Sequence, residues 1–434
     1  MADLLRARIK ERLRPYYLRW VYFQAFPHAR PAEFSECWQF PCFPLETREL
    51  AGRLSAASPG PAFLFYPMAD IHARIQRTQH LALTLAAAGH LSFLLNPHLG
   101  RQFPRVYFRD PISKFGLLAP RLAELHIRLQ TEPVYHARLL SSSESSRLAD
   151  AIAALSGFAG NGIQQILSLP TWLDAALLLR ARFGWPIVYD CHDLIAGFRG
   201  VSSDIVDAES RMLAEADLVL FSSEHLRDQH VKRFENIAGK SAILRNAVDP
   251  QHFRGVFEKR QSRAPTGIAG YFGALDEWFD IEAIRACAKR FPERRFQLIG
   301  RVEYEPIRSL AQCPNVEFLG EVSYDKLPEL AAQFDVALIP FRVTPLTRAT
   351  NPIKLYEYFI CGLPVVSSRL PEVELFQDLV YLADRPEDFP DCLARAFEEN
   401  CADRPARRIE AALRETWTAR AAQLLDAVAD RTPR

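Results

Sequence analysis

The stretch Arg348-Ala349-Thr350-Asn351-Pro352-Ile353-Lys354-Leu355-Tyr356-Glu357-Tyr358-Phe359-Ile360-Cys361-Gly362-Leu363-Pro364-Val365-Val366-Ser367 reads as one helix delivered directly into one strand. Asn351 is suited to an N-cap, and Pro352 to the first helical position, where a missing N–H is no loss. Gly362 suits the left-handed residue that ends a helix, and Leu363-Pro364 leads into an apolar strand. Lys354 and Glu357 are three residues apart, so they share one helical face near the N-terminus. A helix N-terminus with a nearby lysine favours phosphate, and a carboxylate one turn further on can accept ribose hydroxyls. The same spacing also suits an ordinary surface ion pair.

Working outward, short apolar runs recur at 62–66, 91–96, 163–167, 187–190, 218–222 and 242–244, with helical patterns such as 77–88 and 210–216 between them. Continuous apolar strands alternating with helices predict a parallel sheet covered on both faces. Residues 251–265 break this rhythm with a polar, basic run ending in Pro265, and are expected to form a linker. The alternation restarts at 267–272, 296–300, 316–319, 336–340 and 364–367. Five segments follow: an extension over 1–55, a first α/β domain over 56–250, the linker over 251–265, a second α/β domain over 266–405, and a helical tail over 406–434. The tail is expected to pack back on the first domain. Two such sheets place a ligand cleft at their strand C-termini.

Composition narrows the function classes. Among 434 residues, 53 lysines and arginines nearly balance 52 aspartates and glutamates, so no global field favours nucleic acid. The eight cysteines form no CxxC pair, and we read them as reduced thiols in a cytoplasmic protein. No run approaches the ~18 apolar residues of a membrane span, and no apolar signal segment opens the chain.

The 348–367 segment resembles the donor-binding helix of GT-B glycosyltransferases, especially the retaining family four. That resemblance implies an α/β architecture of two Rossmann-like, doubly wound parallel-sheet domains facing across a cleft. It implies a nucleotide-diphosphate sugar as donor and no required cofactor or metal. By motif match, Glu357 holds the donor ribose. Lys354, the Gly273 loop, Arg301, Arg348 and Asn351 are the candidates for the rest of the donor site. Family members often carry a second glutamate eight residues earlier, where this chain has Ala349. The run Gly270-Tyr271-Phe272-Gly273-Ala274-Leu275-Asp276-Glu277-Trp278-Phe279-Asp280 resembles the loop that opens the donor domain, most like bacterial envelope-polysaccharide transferases. Relatives often place cations just after it; here Asp276 and Glu277 stand instead. Residues 320–322 match the loop near the nucleotide base.

In the first domain, Val188-Tyr189-Asp190-Cys191-His192-Asp193 ends a strand expected to point into the cleft, making His192 and Asp193 the catalytic candidates. His72, Arg74 and Arg77, after the first strand, are the candidate acceptor contacts. The acceptor implied is a glycan or lipid-linked glycan. Two rivals stand beside this reading: a nucleotide-sugar epimerase of the same fold, and a degenerate, non-catalytic scaffold. Residues 1–24 repeat Leu4, Leu5, Ile9, Leu13, Tyr16, Tyr17 and Trp20 at helical spacing among basic residues. This pattern suits either a helix packed on the protein or peripheral contact with the inner membrane surface.

Overall fold

The computed structural model describes residues 60–66, 75–95, 113–127, 138–157, 160–401 and 403–430. The 1–55 extension with its basic repeat, and the candidates His72 and Arg74, lie outside the described residues.

The chain forms two sheets. The first has eight strands: β1 (Ala62–Tyr66), β2 (Ser92–Leu95), β3 (Ser113–Ala119), β4 (Leu122–Ile127), β5 (Ile163–Leu167), β6 (Ile187–Cys191), β7 (Leu218–Phe221) and β8 (Ser241–Ile243), in the order β3-β4-β2-β1-β5-β6-β7-β8. The second has six: β9 (Ile268–Phe272), β10 (Arg295–Ile299), β11 (Val316–Gly320), β12 (Val336–Ile339), β13 (Val365–Ser368) and β14 (Val380–Ala383), in the order β11-β10-β9-β12-β13-β14. Every pairing is parallel except β3 with β4. This is the doubly wound pair of sheets expected from the apolar runs.

Six helices position the site: α1 (Arg77–Ala87), α2 (Ser203–Glu215), α3 (Glu224–Arg233), α4 (Pro345–Ala349), α5 (Ile353–Ile360) and α6 (Trp417–Ala429). Strand order reverses between β1 and β5 in the first sheet and between β9 and β12 in the second. Crevices at such reversals are where ligands bind in open α/β sheets. The turn after β6 and the loops after β9 and β12 all open into one cleft between the sheets.

Several local expectations need correction. Asn351 does not cap α5; Pro352 holds the N-cap position with extended backbone, and the helix begins at Ile353. Gly362 does terminate the helix, at φ 65°, with its N–H donated to Phe359 O at 2.8 Å. Helix α2 begins at Ser203, seven residues before the expected 210. The β3–β4 hairpin and β14 had no counterpart among the expected strands. Residues 251–265 include the short helix Val256–Gln261, and Phe253 and Val256 are buried. Arg260 there donates to the carbonyls of Phe334 and Cys361, so its charge stitches chain instead of dangling in solvent.

Helix α6 packs on the first sheet. Trp417, Ala421, Leu424 and Val428 join Phe63, Phe65, Leu81 and Leu85 in one core cluster, and Trp417 stacks on His80 of α1 at 4.9 Å. The halves also touch at the site. Ala349 is buried among first-sheet core residues, and its carbonyl accepts from Ser223 Oγ at 2.7 Å. No helix among the described residues is long and apolar enough to cross a membrane. The six described cysteines are free.

Candidate active site

The cleft has a volume of about 550 Å³ and is walled by both sheets. Its floor on the second-sheet side is built by two glycines. Gly273, directly after β9, has φ 137°, and Gly300, directly after β10, has φ 148°. A Cβ on Gly300 would lie 1.9 Å from the Gly273 carbonyl oxygen, so only glycine permits this approach. A Cβ on Gly273 would lie 3.0 Å from Lys354 Cε, so the bare Cα leaves room for the lysine stem. The Gly273 amide is donated to Ile299 O at 2.9 Å and that of Leu275 to Arg301 O at 3.0 Å. Between them, the amide of Ala274 has no partner among the described residues. In the glycine loop, the amide free to meet a ligand is thus that of Ala274, and Gly273 leaves the space beside it.

Lys354 Nζ lies 5.3 Å from the Tyr271 ring centroid and 4.9 Å from that of Phe341. Aromatic faces hold an ammonium without neutralising it. Burial pulls its pKa down to about 8, against the favourable pull of Glu357. Glu357, one turn on, is 6% exposed and lines the same cleft. Burial pushes its carboxyl up to about 7, opposed by Lys354 and then by the Tyr324 hydroxyl beside it. That hydroxyl is buried and has no partner at ordinary hydrogen-bond geometry among the described residues. Lysine, carboxylate and phenol thus meet at the cleft wall as an under-solvated group, ready for a polar ligand.

From the first sheet, β6 delivers His192 and Asp193 into the cleft. His192 Nδ1 is 3.0 Å from the Asp190 carbonyl. A carbonyl only accepts, so in the neutral ring this contact assigns the proton to Nδ1 and leaves Nε2 as the acceptor. Nε2 lies 3.7 Å from Asp193 Oδ2. The imidazole and carboxylate can receive or hold a proton at the face opposite Lys354.

The other candidates divide. Arg301 lines the rim, exposed and paired with Glu303 at 3.1 Å, and can swing to an anion. Arg348 is exposed on the outer side of α4 and is not among the residues lining the cleft; the geometry does not support its expected donor contact. Asn351 is 1% exposed. Its Oδ1 accepts from Asn246 N at 2.8 Å, and its Nδ2 donates to Tyr356 Oη and Glu372 Oε2, both at 2.9 Å. It borders the cleft, but its amide is engaged in tying the halves together. Arg77 borders the cleft, but its guanidinium is committed to Asp190 and to Asn246 Oδ1, at 3.1 Å for the latter, so an acceptor contact is not what it is built for. Tyr324, Asn246 and the Tyr271–Phe341 pair escaped sequence reasoning. Tyr271 lies inside the quoted 270–280 run and Tyr324 just beyond the 320–322 loop, so both were near a signal without being singled out.

Comparison with known proteins bears on the fold. Residues 268–403 match the family described as glycosyl transferases group 1. A sucrose-phosphate synthase from Thermosynechococcus elongatus superposes with a TM-score of 0.64 at 19% identity, covering 86% of this chain and 98% of that one. Anabaena HepE, solved in complex with UDP and glucose, gives 0.60 at 15% identity, covering 85% and 99%. The chain thus has the GT-B fold, and the match to the glycosyl transferases group 1 family lies within its second half. Among curated proteins, it is 25% identical over 248 residues to the putative teichuronic acid biosynthesis glycosyltransferase TuaH of Bacillus subtilis (strain 168). That match covers 51% of this chain and 62% of TuaH, under two thirds of its length.

Proposed function

We propose that the chain transfers a sugar from a nucleoside-diphosphate donor, UDP in the first instance, to a glycan or lipid-linked glycan of an envelope polysaccharide. One observation carries this reading: Lys354 and Glu357, one turn apart at the second sheet's strand-order reversal, open onto the same cleft as His192 and Asp193. Glu357 accepts the ribose hydroxyls. Lys354, Arg301 and the Ala274 amide take the diphosphate, whose growing negative charge they stabilise as the glycosidic bond breaks. The first-sheet pair faces the reacting sugar, where His192 or Asp193 receives the acceptor proton. The UDP-bound HepE and the UDP-2-fluoroglucose complex of the trehalose-6-phosphate protein from E. coli support the choice of nucleotide, and TuaH supports the polysaccharide acceptor.

Two finer points rest on the resemblance of 348–367 to family four: retention of anomeric configuration, and charge stabilisation by the chain's own cations without a catalytic metal. Product anomers read by NMR, with turnover that is not raised by added Mg2+ or Mn2+, are the expected results. We also assign the basic repeat of residues 1–24 to the inner membrane surface, and its deletion should abolish binding to anionic vesicles.

The decisive experiment is a thermal-shift series with UDP, GDP, dTDP, ADP and CMP. A ligand at a hundred times its Kd adds about 2.7 kcal/mol to the binding state. A shift with one diphosphate, abolished in Glu357→Ala, is expected. No shift with any of them would overturn the donor site and favour a non-catalytic scaffold.

A further inference from the structure

Beneath the turn that carries His192 and Asp193, three side chains of metal-ligating type meet in the interior. Cys191 ends β6, Glu209 lies in α2 and His230 in α3. They are 1%, 4% and 6% exposed, and none lines the cleft. Cys191 Sγ is 3.8 Å from His230 Nε2, and Nε2 is 3.9 Å from Glu209 Oε1. The three ligand atoms all fall within 4.8 Å of one another.

The imidazole–carboxylate separation is too long for a hydrogen bond. Zinc–ligand bonds of about 2.0–2.3 Å would set neighbouring ligand atoms roughly 3.3–3.7 Å apart. The sulfur–nitrogen and nitrogen–oxygen separations stand only a few tenths of an ångström outside that spacing. The surroundings also resemble an outer ligand shell. Tyr189 Oη donates to Glu209 Oε1 at 2.8 Å, which fixes the carboxylate's direction. The Phe221 ring stacks on the His230 imidazole with centroids 5.6 Å apart. The Asp193 carbonyl lies 3.9 Å from Cys191 Sγ, on the side of the turn.

Charge favours a divalent cation. Burial disfavours both anions here, pushing the Glu209 carboxyl up to about 7 and the Cys191 thiol well above its usual range. One thiolate, one carboxylate and one divalent cation sum to zero, which an apolar interior tolerates far better than either anion alone. Mixed sulfur, nitrogen and oxygen donors select zinc over magnesium or calcium.

We propose that Cys191, Glu209 and His230 form a structural zinc site, with the Asp193 carbonyl at its remaining corner, bracing the turn that presents His192 and Asp193. This site is independent of the donor assignment.

The test uses the full chain, first purified without chelator. About one zinc per chain is expected to survive dialysis. After chelator treatment, added Zn2+ should raise Tm, and Co2+ should produce a thiolate-to-metal charge-transfer band in the near ultraviolet. Cys191→Ser should lose the band, and His230→Gln should weaken it. Should both variants fail to fold, the wild-type measurements decide alone. A wild-type protein that retains no zinc and shows no Tm change with Zn2+ overturns the proposal. So does zinc binding without the cobalt–thiolate band, or a band that persists in Cys191→Ser.

Discussion

Arg77 grips Asp190 through two nitrogens, Nε at 2.9 Å and a terminal nitrogen at 2.7 Å, with neither side chain more than 3% exposed. The pair joins the start of α1 to the end of β6, immediately before His192. Removing one partner strands a buried charge, which costs about 3–5 kcal/mol. Arg77→Ala should therefore lower the urea midpoint sharply, while Arg77→Met with Asp190→Leu recovers much of the loss. Equal midpoints for single and double variants would contradict this.

Lys354→Ala should weaken binding of the nucleoside diphosphate roughly ten- to hundredfold, the worth of about 1.5–3 kcal/mol for a charge-assisted contact. The nucleoside without phosphates should bind the variant as it binds the parent. Calorimetric titration of both ligands separates a phosphate contact from general damage.

Affinity for the diphosphate should peak between about pH 7 and 8. Above 8 the free Lys354 amine is neutral and must gain a proton on binding, so affinity falls up to about tenfold per pH unit. Below 7 Glu357 is protonated in the free protein and must lose its proton to accept ribose hydroxyls, so affinity falls in that direction too. Glu357→Gln should flatten the acid limb and move the alkaline limb to lower pH. Lys354→Ala should flatten the alkaline limb and move the acid limb to higher pH, because each charge holds the other.

Gly300→Ala should be far more damaging than Gly320→Ala. Both positions have positive φ, which costs an L-residue about 1–2 kcal/mol. At Gly320 a methyl meets nothing within 4 Å, whereas at Gly300 it lands 1.9 Å from the Gly273 carbonyl oxygen and must displace backbone. Comparable midpoints for the two variants would refute the close packing of these loops.

Ala349→Glu, which introduces the residue often found at the matching position of family four, should not improve the site. The methyl group is fully buried against the first-sheet core. A carboxylate placed there would cost several kcal/mol unless the halves moved apart. A lower Tm with no gain in donor binding is the expected reading.

The two sheets were legible because their buried parallel strands are unbroken apolar runs, as in Val336–Ile339. The β3–β4 hairpin was not: Ser113–Ala119 mixes Ser113, Lys114 and Gly116 among its apolar residues, as an edge strand can. Lys354 and Glu357 were readable from spacing and motif. Asn351 misled, because a good capping residue before proline is equally good at bonding chain from another domain. Arg348 misled for a related reason: its position within the motif said nothing about which side of a one-turn helix it faces. Contacts such as Arg77–Asp190 and Ser223–Ala349 join residues more than a hundred positions apart, and no local pattern announces them.

The chain passes between the two halves twice, and the passages lie side by side: Val248 N donates to Glu415 O at 3.0 Å, and Trp417 N to Val248 O at 3.2 Å. Exchange of modules is constrained accordingly. A single splice near residue 250 would join a foreign donor half to a tail shaped for a different first sheet, leaving the groove along α1 without its tryptophan. A working chimera needs two junctions, one on each passage, so that α6 travels with the sheet it covers. Recombination with a relative should succeed as an internal cassette and fail as a simple exchange of ends.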